Sequence, residues 1–499
     1  VQTKNQRPNI LLITTDQQRG DCLGCDGHPV VETPYLDELA SGGSRFRNAF
    51  SAVPSCIPAR AAILTGMDQW NHGRLAMTGK DFLKYPATLP GELTRAGYQT
   101  RAVGKMHFQP QRAHYGFEHM VLDESSRRDG KFVSDYHQWL DQTGEDRTGY
   151  RDHSIAWNSW VAKPSNLPEH LHPTAWTAAE SAKFLKNRDE TRPFFLWMSF
   201  ARPHSPYDAP QWYTDLYLQK PDLPAPLDDD WSGDYDTRAW GTDARNGTIP
   251  PVQARRARAG YYGNITFIDH QIGRVLWELR RHDPEAAANT LIIFTSDHGD
   301  MLGDHHLWRK GLPYQGSLRV PFLVKPPVAW GAPQGQVCGQ PVELQDILPT
   351  LLDAAGVDIP PSVTGQSLLP TALGAGSSIR EELLCETNRG DTNGWQCMTN
   401  GREKFIWFHH TGREQFFDLE NDPGETRNLA GNPEFAGRLE FWRARLAQAL
   451  ERRGDSRGQG GKLVPWTDKD PQDPNLSLTP NYWKWKERAA AAKQRDCAS

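Results

Sequence analysis

The sequence predicts an α/β protein: a large, mostly parallel sheet sandwiched by helices, with a smaller C-terminal antiparallel sheet plus helix subdomain. Two observations predict the large part. Short apolar runs alternate with segments of helical periodicity, the pattern of βα units around a parallel sheet. The same runs stop, one after another, at residues able to hold a ligand, as strands do at the carboxyl edge of an open α/β sheet. A third observation predicts the small part. Across 370–382 the composition turns to Gly, Ser and Ala, and short apolar runs and a long amphipathic segment follow. The expected division is 1–375 for the large α/β domain, 376–455 for a small α+β subdomain and 456–499 for a polar, Pro-rich tail.

Each element has its own signal. NILLIT (9–14) reads as a buried strand. TPYLDELASGG (33–43) reads as a helix, with Thr33 as N-cap, Pro34 in the first turn and Gly42 past the end. Pro58 and the following ARAAILTG mark a second helix start, closed by Gly66. Further strands are expected at 98–103, 193–200, 289–296 and 319–325, and helices over 253–282 and 344–356. In the C-terminal part, 404–410 and 414–419 read as antiparallel strands and 435–453 as an amphipathic helix.

The totals exclude several functions. A formal net charge of −5 without any Lys/Arg block argues against nucleic acid as a partner. No run of eighteen apolar residues occurs, so no membrane-spanning helix is expected. The seven cysteines are scattered and odd in number, unlike a disulfide framework, and the Cys22/Cys25 pair lacks a second pair at zinc spacing. Eighteen Trp is a high count; core filling is its expected use, with stacking on sugars the alternative. The start at Val1, with neither an initiator Met nor an apolar leader, fits a mature or trimmed chain. A periplasmic or secreted location is expected, with the cytoplasm left open.

The strand ends carry the chemistry. The first run stops at Asp16-Gln17, the next at Lys105 and His107, the third at His204 and the fourth at Asp297-His298. Two carboxylates, an amide oxygen and an imidazole suit a hard divalent cation. A mostly oxygen shell favours Ca²⁺ first, with Mg²⁺ or Mn²⁺ as alternatives. Cys56 stands at the start of the second helix, whose positive end points at whatever Cys56 carries. Arg60 follows one turn on. With Lys105, Lys310 and the histidines, these residues describe a pocket for a tetrahedral oxyanion ester.

CIPARAAILTG (56–66) and GYQTRAVGKMH (97–107) resemble the two signatures of the type I, formylglycine-dependent sulfatases, within the alkaline phosphatase-like superfamily. PNILLITTDQQRGD, PHSP, TSDHGDMLGDHHLWRKGLPYQGSLRVPFLV and FFDLENDPGETRNLA resemble further blocks of that family, in order, so the likeness spans roughly 8–430. The resemblance implies that a formylglycine-generating enzyme oxidises Cys56 to formylglycine, whose hydrate is the nucleophile. It implies that Asp16, Gln17, Asp297, His298 and the Cys56 position hold the cation, and that Arg60 stabilises the diol. Lys105 and Lys310 would balance charge on the transferring group, and His204, with Lys310, would protonate the leaving oxygen. His107 would deprotonate the second hydroxyl, so that sulfate is expelled and the aldehyde regenerates.

Many family members carry Asp-Asp and Asp-Asn where this chain has Asp16-Gln17 and Asp297-His298. The same pairing resembles the phosphonate monoester hydrolases and phosphodiesterases. Specificity is expected in the polar, aromatic segments 114–132 and 228–247. There His114, Arg127, Arg128, Trp231, Tyr235 and Trp240 would form a sugar subsite, Arg reading carboxylates or extra sulfates. A sulfated saccharide is the expected substrate and a small sulfate ester the alternative. Two other readings stay open: a phosphonate or phosphodiester hydrolase with the same centre, and a sulfated-glycan binding protein whose Cys56 is never matured. An oligomer is compatible with all three.

Overall fold

The computed structural model describes residues 7–76, 84–124, 132–144, 155–239, 241–376, 378–387 and 394–465. Eight strands form the main sheet: β1 (Asn9–Asp16), β2 (Ser44–Phe50), β3 (Gln99–Gly104), β4 (His119–Leu122), β5 (Phe194–Pro203), β6 (Thr290–Ser296), β7 (Phe322–Lys325) and β8 (Gln336–Glu343). Their order is β4-β3-β5-β1-β6-β7-β2-β8. All neighbours pair parallel except β7, which runs antiparallel to both β6 and β2. β1 is therefore central, between β5 and β6, and all eight of its residues are buried.

Period-two alternation sorts the strand side chains onto two faces. Ile10 and Leu12 of β1 join Phe195, Trp197, Leu291 and Ile293 in one core, which also takes Ala59, Ile63 and Leu64 of the helix Cys56–Thr65. Leu11 and Ile13 face the other way, into a core with Leu196, Met198, Ile292 and Phe294. That second core is covered by Leu36 and Leu39 of α1 (Pro34–Ser41) and by Ile268, Ile272 and Val275 of the long helix Pro251–His282. A continuously apolar strand is thus a strand covered by helices on both faces.

Thr33 occupies the N-cap position of α1 but makes no cap bond. Its hydroxyl donates to Asp37 Oδ1 at 3.0 Å instead. The first amides of α1 are taken across the core by Asp269: Tyr35 N and Leu36 N donate to its carboxylate at 3.2 and 2.8 Å. Burial pushes the Asp269 carboxyl up to about 7 against those two bonds. β2 and β8 lie beyond the strands expected from sequence. β2 reads SRFRNAF, too polar for a buried run, because it sits near the sheet edge where its Arg side chains reach outward.

A second, antiparallel sheet follows in the order β12-β11-β10-β9, from β9 (Leu383–Thr387), β10 (Trp395–Thr399), β11 (Glu403–Phe408) and β12 (Arg413–Asp418). One face packs Cys385, Trp395, Cys397, Ile406 and Phe417 against Phe50, Tyr314 and Leu318 of the main body. The other packs Met398, Phe405, Trp407 and Phe416 against Leu439, Trp442, Leu446 and Leu450 of the helix Ala436–Arg452. Among the described residues no helix is long and apolar enough to cross a membrane.

Candidate active site

The carboxyl ends of β1, β3, β5 and β6 converge as the sheet order requires, because these four strands are adjacent. β1 delivers Asp16 as its last residue, β6 is followed by Asp297 and His298, and α2 (Cys56–Thr65) begins with Cys56. All four side chains are fully buried, and their ligand atoms lie within 4.8 Å of one another. Cys56 Sγ is 3.5 Å from Asp16 Oδ1 and 3.2 Å from His298 Nε2. His298 Nδ1 sits 2.9 Å from the carbonyl of Gly299 and donates its proton there. Its Nε2 thereby faces the cluster, with Asp16 and Asp297 oxygens at 3.6 and 3.5 Å. Converging acceptors at this spacing have the donor set of a divalent-cation site, richer in oxygen than in nitrogen.

Gln17 joins them from a left-handed backbone, φ 72°. Its amide nitrogen on the main chain donates to Asp297 Oδ1 at 3.1 Å, and its side-chain Nε2 donates to Asp300 Oδ2 at 2.5 Å. The side-chain oxygen is thereby aimed at Lys310, whose Nζ donates to it at 2.7 Å. Lys310 Nζ also stands 3.5 Å from Cys56 Sγ. Lys105, fully buried, pairs with Asp16 Oδ2. Arg60 pairs with Asp297 Oδ2 at 2.9 Å and donates to Ser199 Oγ at 2.9 Å, so the first turn of α2 is locked to β5 and β6.

The cations set the electrostatics. Burial raises the Asp16 carboxyl, but Lys105, His204, Lys310 and His298 together hold it well below the usual range. Burial and Asp16 push the Cys56 thiol up; Lys310, Lys105 and His298 outweigh them, and its net direction is down. His204 is held well below its ordinary value by burial and by Lys310, against Asp16. Its Nδ1 faces the carbonyl of Ser205 at 2.8 Å, and its ring stacks on Trp157 with centroids 4.7 Å apart. His107, in a left-handed conformation at φ 55°, lines a small cavity with Arg60 and Ile57 beside the first turn of α2.

The subsite residues expected from sequence go to different places. Arg127, Arg128 and Trp240 lie outside the described residues. Trp231 packs between Tyr314 and His305 at the seam of the two sheets, and its Nε1–H is taken by the carbonyl of Glu425 at 2.7 Å. Tyr235 packs against the same seam cluster. His114 Nδ1 bonds locally to the carbonyl of Phe117 at 2.9 Å.

Several residues at the centre had escaped the sequence reading. Asp300 accepts from Gln17 and from the Tyr207 hydroxyl, 2.7 Å away, and so orients the Gln17 amide. Glu124, buried, accepts the main-chain N–H of Met106 and His107 at 3.0 and 2.8 Å and holds that turn. The second Asp of DHGD was a visible hint for Asp300. Ser199, Glu124 and Trp157 had no such signal.

A family model described as Sulfatase matches residues 8–357, and one described as N-sulphoglucosamine sulphohydrolase, C-terminal, matches 303–452. The chain is 42% identical over 472 residues to an arylsulfatase of Clostridium perfringens, covering 92% of this chain and 97% of that one. It is 29% identical to an ulvan-active sulfatase of Formosa agariphila, covering 91% and 83%. It superimposes on the phosphonate monoester hydrolase of Agrobacterium radiobacter with a TM-score of 0.75 and 26% identity, covering 89% of this chain and 96% of that one.

Proposed function

The chain belongs to the sulfatase family and hydrolyses a sulfate ester, and from that premise we propose that its substrate is a sulfated saccharide and its nucleophile a formylglycine made from Cys56. One observation carries the reading: Cys56, Asp16, Asp297 and His298 bring ligand atoms within 4.8 Å at the start of a helix, with two lysines beside them. The likeness to an ulvan-active sulfatase supports the saccharide.

In this reading Asp16, Gln17, Asp297, His298 and the position 56 side chain hold a divalent cation, Ca²⁺ on the strength of the oxygen-rich set. The cation would supply charge stabilisation for the sulfuryl group, and the formylglycine hydrate a nucleophilic oxygen with a second hydroxyl for sulfate release. The remaining work belongs to the chain. Lys105 and Lys310 face position 56 and bind the sulfuryl oxygens, where charge grows in the transition state. Arg60 fixes Asp297 and the first turn of α2 together. Lys310 and His204 deliver the proton to the leaving oxygen as a pair. Burial and Lys310 hold His204 well below its ordinary value, so its neutral form is favoured until an anionic substrate offsets the field around it. His107 is the base for sulfate release. Maturation would require a formylglycine-generating enzyme as a transient partner.

The test is co-expression with such an enzyme, followed by free-sulfate assay on sulfated mono- and disaccharides and on 4-nitrophenyl sulfate. Mass spectrometry of the Cys56 peptide reports conversion. Saccharide sulfate release that tracks conversion supports the proposal; release from the converted enzyme only with 4-nitrophenyl sulfate overturns the saccharide. A second reading rests on the superposition with a phosphonate monoester hydrolase and on His298 in the ligand set. Phenyl phosphonate turnover exceeding every sulfate ester would favour it.

A further inference from the structure

We propose that Trp157 is the positioning and specificity residue of this centre: its ring fixes His204, and its indole N–H is the donor presented to the alcohol part of the substrate. The inference deepens the sulfated-saccharide reading and rests on it. The Trp157 and His204 rings lie nearly parallel, 22° apart, with centroids at 4.7 Å. Lys105 Nζ lies 5.9 Å from the same indole, so one ring touches both the proposed proton donor and a sulfuryl-binding lysine.

The N–H of Trp157 is shielded from solvent and has no acceptor among the described residues. Other buried indoles differ. Those of Trp197, Trp308 and Trp395 donate to Thr14 Oγ1, Gly247 O and Gly311 O at 2.9, 3.1 and 3.1 Å. Among the described residues Trp70 and Trp176 also keep a buried unpaired N–H. Both belong to apolar packing, against Val53 and Leu75 and against Tyr136 and Leu140. Trp157 alone of these three stacks on a residue of the centre. A buried donor without an acceptor is costly unless a ligand supplies one.

The segment that carries it is anchored. Trp160 N donates to Thr242 O at 3.0 Å and Lys163 N to Tyr207 O at 3.1 Å, while Ala162 bridges to Tyr207. Tyr207 in turn bonds Asp300 beneath Gln17. Trp157 therefore rides on a wall tied to the metal-side residues. A sugar offers ring and hydroxyl oxygens beside its ester; an aryl sulfate offers no acceptor there except the ester itself.

Two variants separate the two roles. Trp157→Phe keeps a ring on His204 and loses the N–H. We expect kcat/KM for the best sulfated saccharide to fall about tenfold, mostly in KM, with a smaller loss on 4-nitrophenyl sulfate. Trp157→Ala loses both, and kcat for 4-nitrophenyl sulfate should fall at least about tenfold. Melting temperatures are measured alongside. A Phe variant equal to wild type on every saccharide overturns the donor role. An Ala variant with unchanged kcat on 4-nitrophenyl sulfate overturns the positioning role. Equal losses in both variants on all substrates, with lowered melting temperatures, reduce Trp157 to a packing residue and overturn the proposal. If the wild type cleaves 4-nitrophenyl sulfate but no saccharide, the substrate reading and the donor role fail together, while the Phe-to-Ala contrast in kcat still decides the stack.

Discussion

Glu386, Asp455 and Arg457, with Arg453 half-buried beside them, gather four charges where the last helix meets the second sheet; Asp16, Asp297, Arg60 and Lys105 bury four at the carboxyl edge of the first. The first group is closed. Arg453 grips both oxygens of Glu386 at 2.5 and 2.7 Å, and Arg457 grips both of Asp455 at 2.9 and 2.6 Å. Gln69 adds a donor to Glu386 at 3.0 Å, and Arg453 lies over the Trp70 ring. The second group is open. To its two carboxylates are added His298 Nε2 and the Cys56 side chain, all turned into one small volume. Gathered charge thus serves two ends. A knot whose carboxylates are each gripped by an arginine holds the chain together, and one with converging acceptors at its middle has the donor set for a divalent cation.

This contrast can be broken from either side. The largest effect is expected from Cys56→Ala, which should lower sulfate release from the matured enzyme by more than about 10⁴-fold while leaving the urea midpoint nearly unchanged. A fold that collapses with the mutation would mean that Cys56 is part of a structural knot instead. Next comes the cation. Chelation, or Asp297→Asn, should cost about 10²–10³-fold in kcat/KM, with add-back restoring the chelated protein but not the variant.

The closed knot should respond in stability alone. Glu386→Leu leaves Arg453 short of its main partner and should lower unfolding free energy by about 3–5 kcal/mol. The folded fraction should keep kcat within about twofold, measured below the denaturation midpoint. A loss of kcat at full folding would show that the two knots are coupled through Gln69 and the segment leading from α2.

The smallest effect separates the regions by pH. Burial holds His72 down to about 3, and His409, beside Arg457, down to about 2. Their unfolded imidazoles, near pH 6.5, take up protons that the folded ones refuse. Stability is therefore complete above about pH 6.5 and falls as pH drops towards the folded values, by up to about 1.4 kcal/mol per pH unit for each histidine. Urea midpoints measured between pH 7 and 4 should show this slope, and His409→Gln should flatten it by one histidine's share. An unchanged slope would mean that His409 protonates in the folded protein.

Much of the centre is legible in the chain because it is built from what each strand does last. Asp16, Lys105, His204 and Asp297 follow their strands by at most two residues, and a parallel sheet gathers its carboxyl ends at one edge by construction. Cys56 is legible for a similar reason: a helix start is a local signal. Polar and short strands are not. β2 reads as polar through Arg45, Arg47 and Asn48 although four of its seven residues are buried, and β9 and β10 have only five residues each.

By itself, then, the sequence determined the αβα class, the carboxylates at the strand ends, the helix beginning at Cys56 and the family to which those signatures belong. Only the tertiary structure decided which side chains meet. It put Asp300 behind Gln17, Ser199 on Arg60 and Trp157 on His204, and it sent Trp231, the expected sugar platform, into the seam between the sheets. The reason is range. Strand ends and helix starts are encoded within a few residues, whereas the contacts that orient them join segments about 45 to 285 residues apart, which no local pattern records.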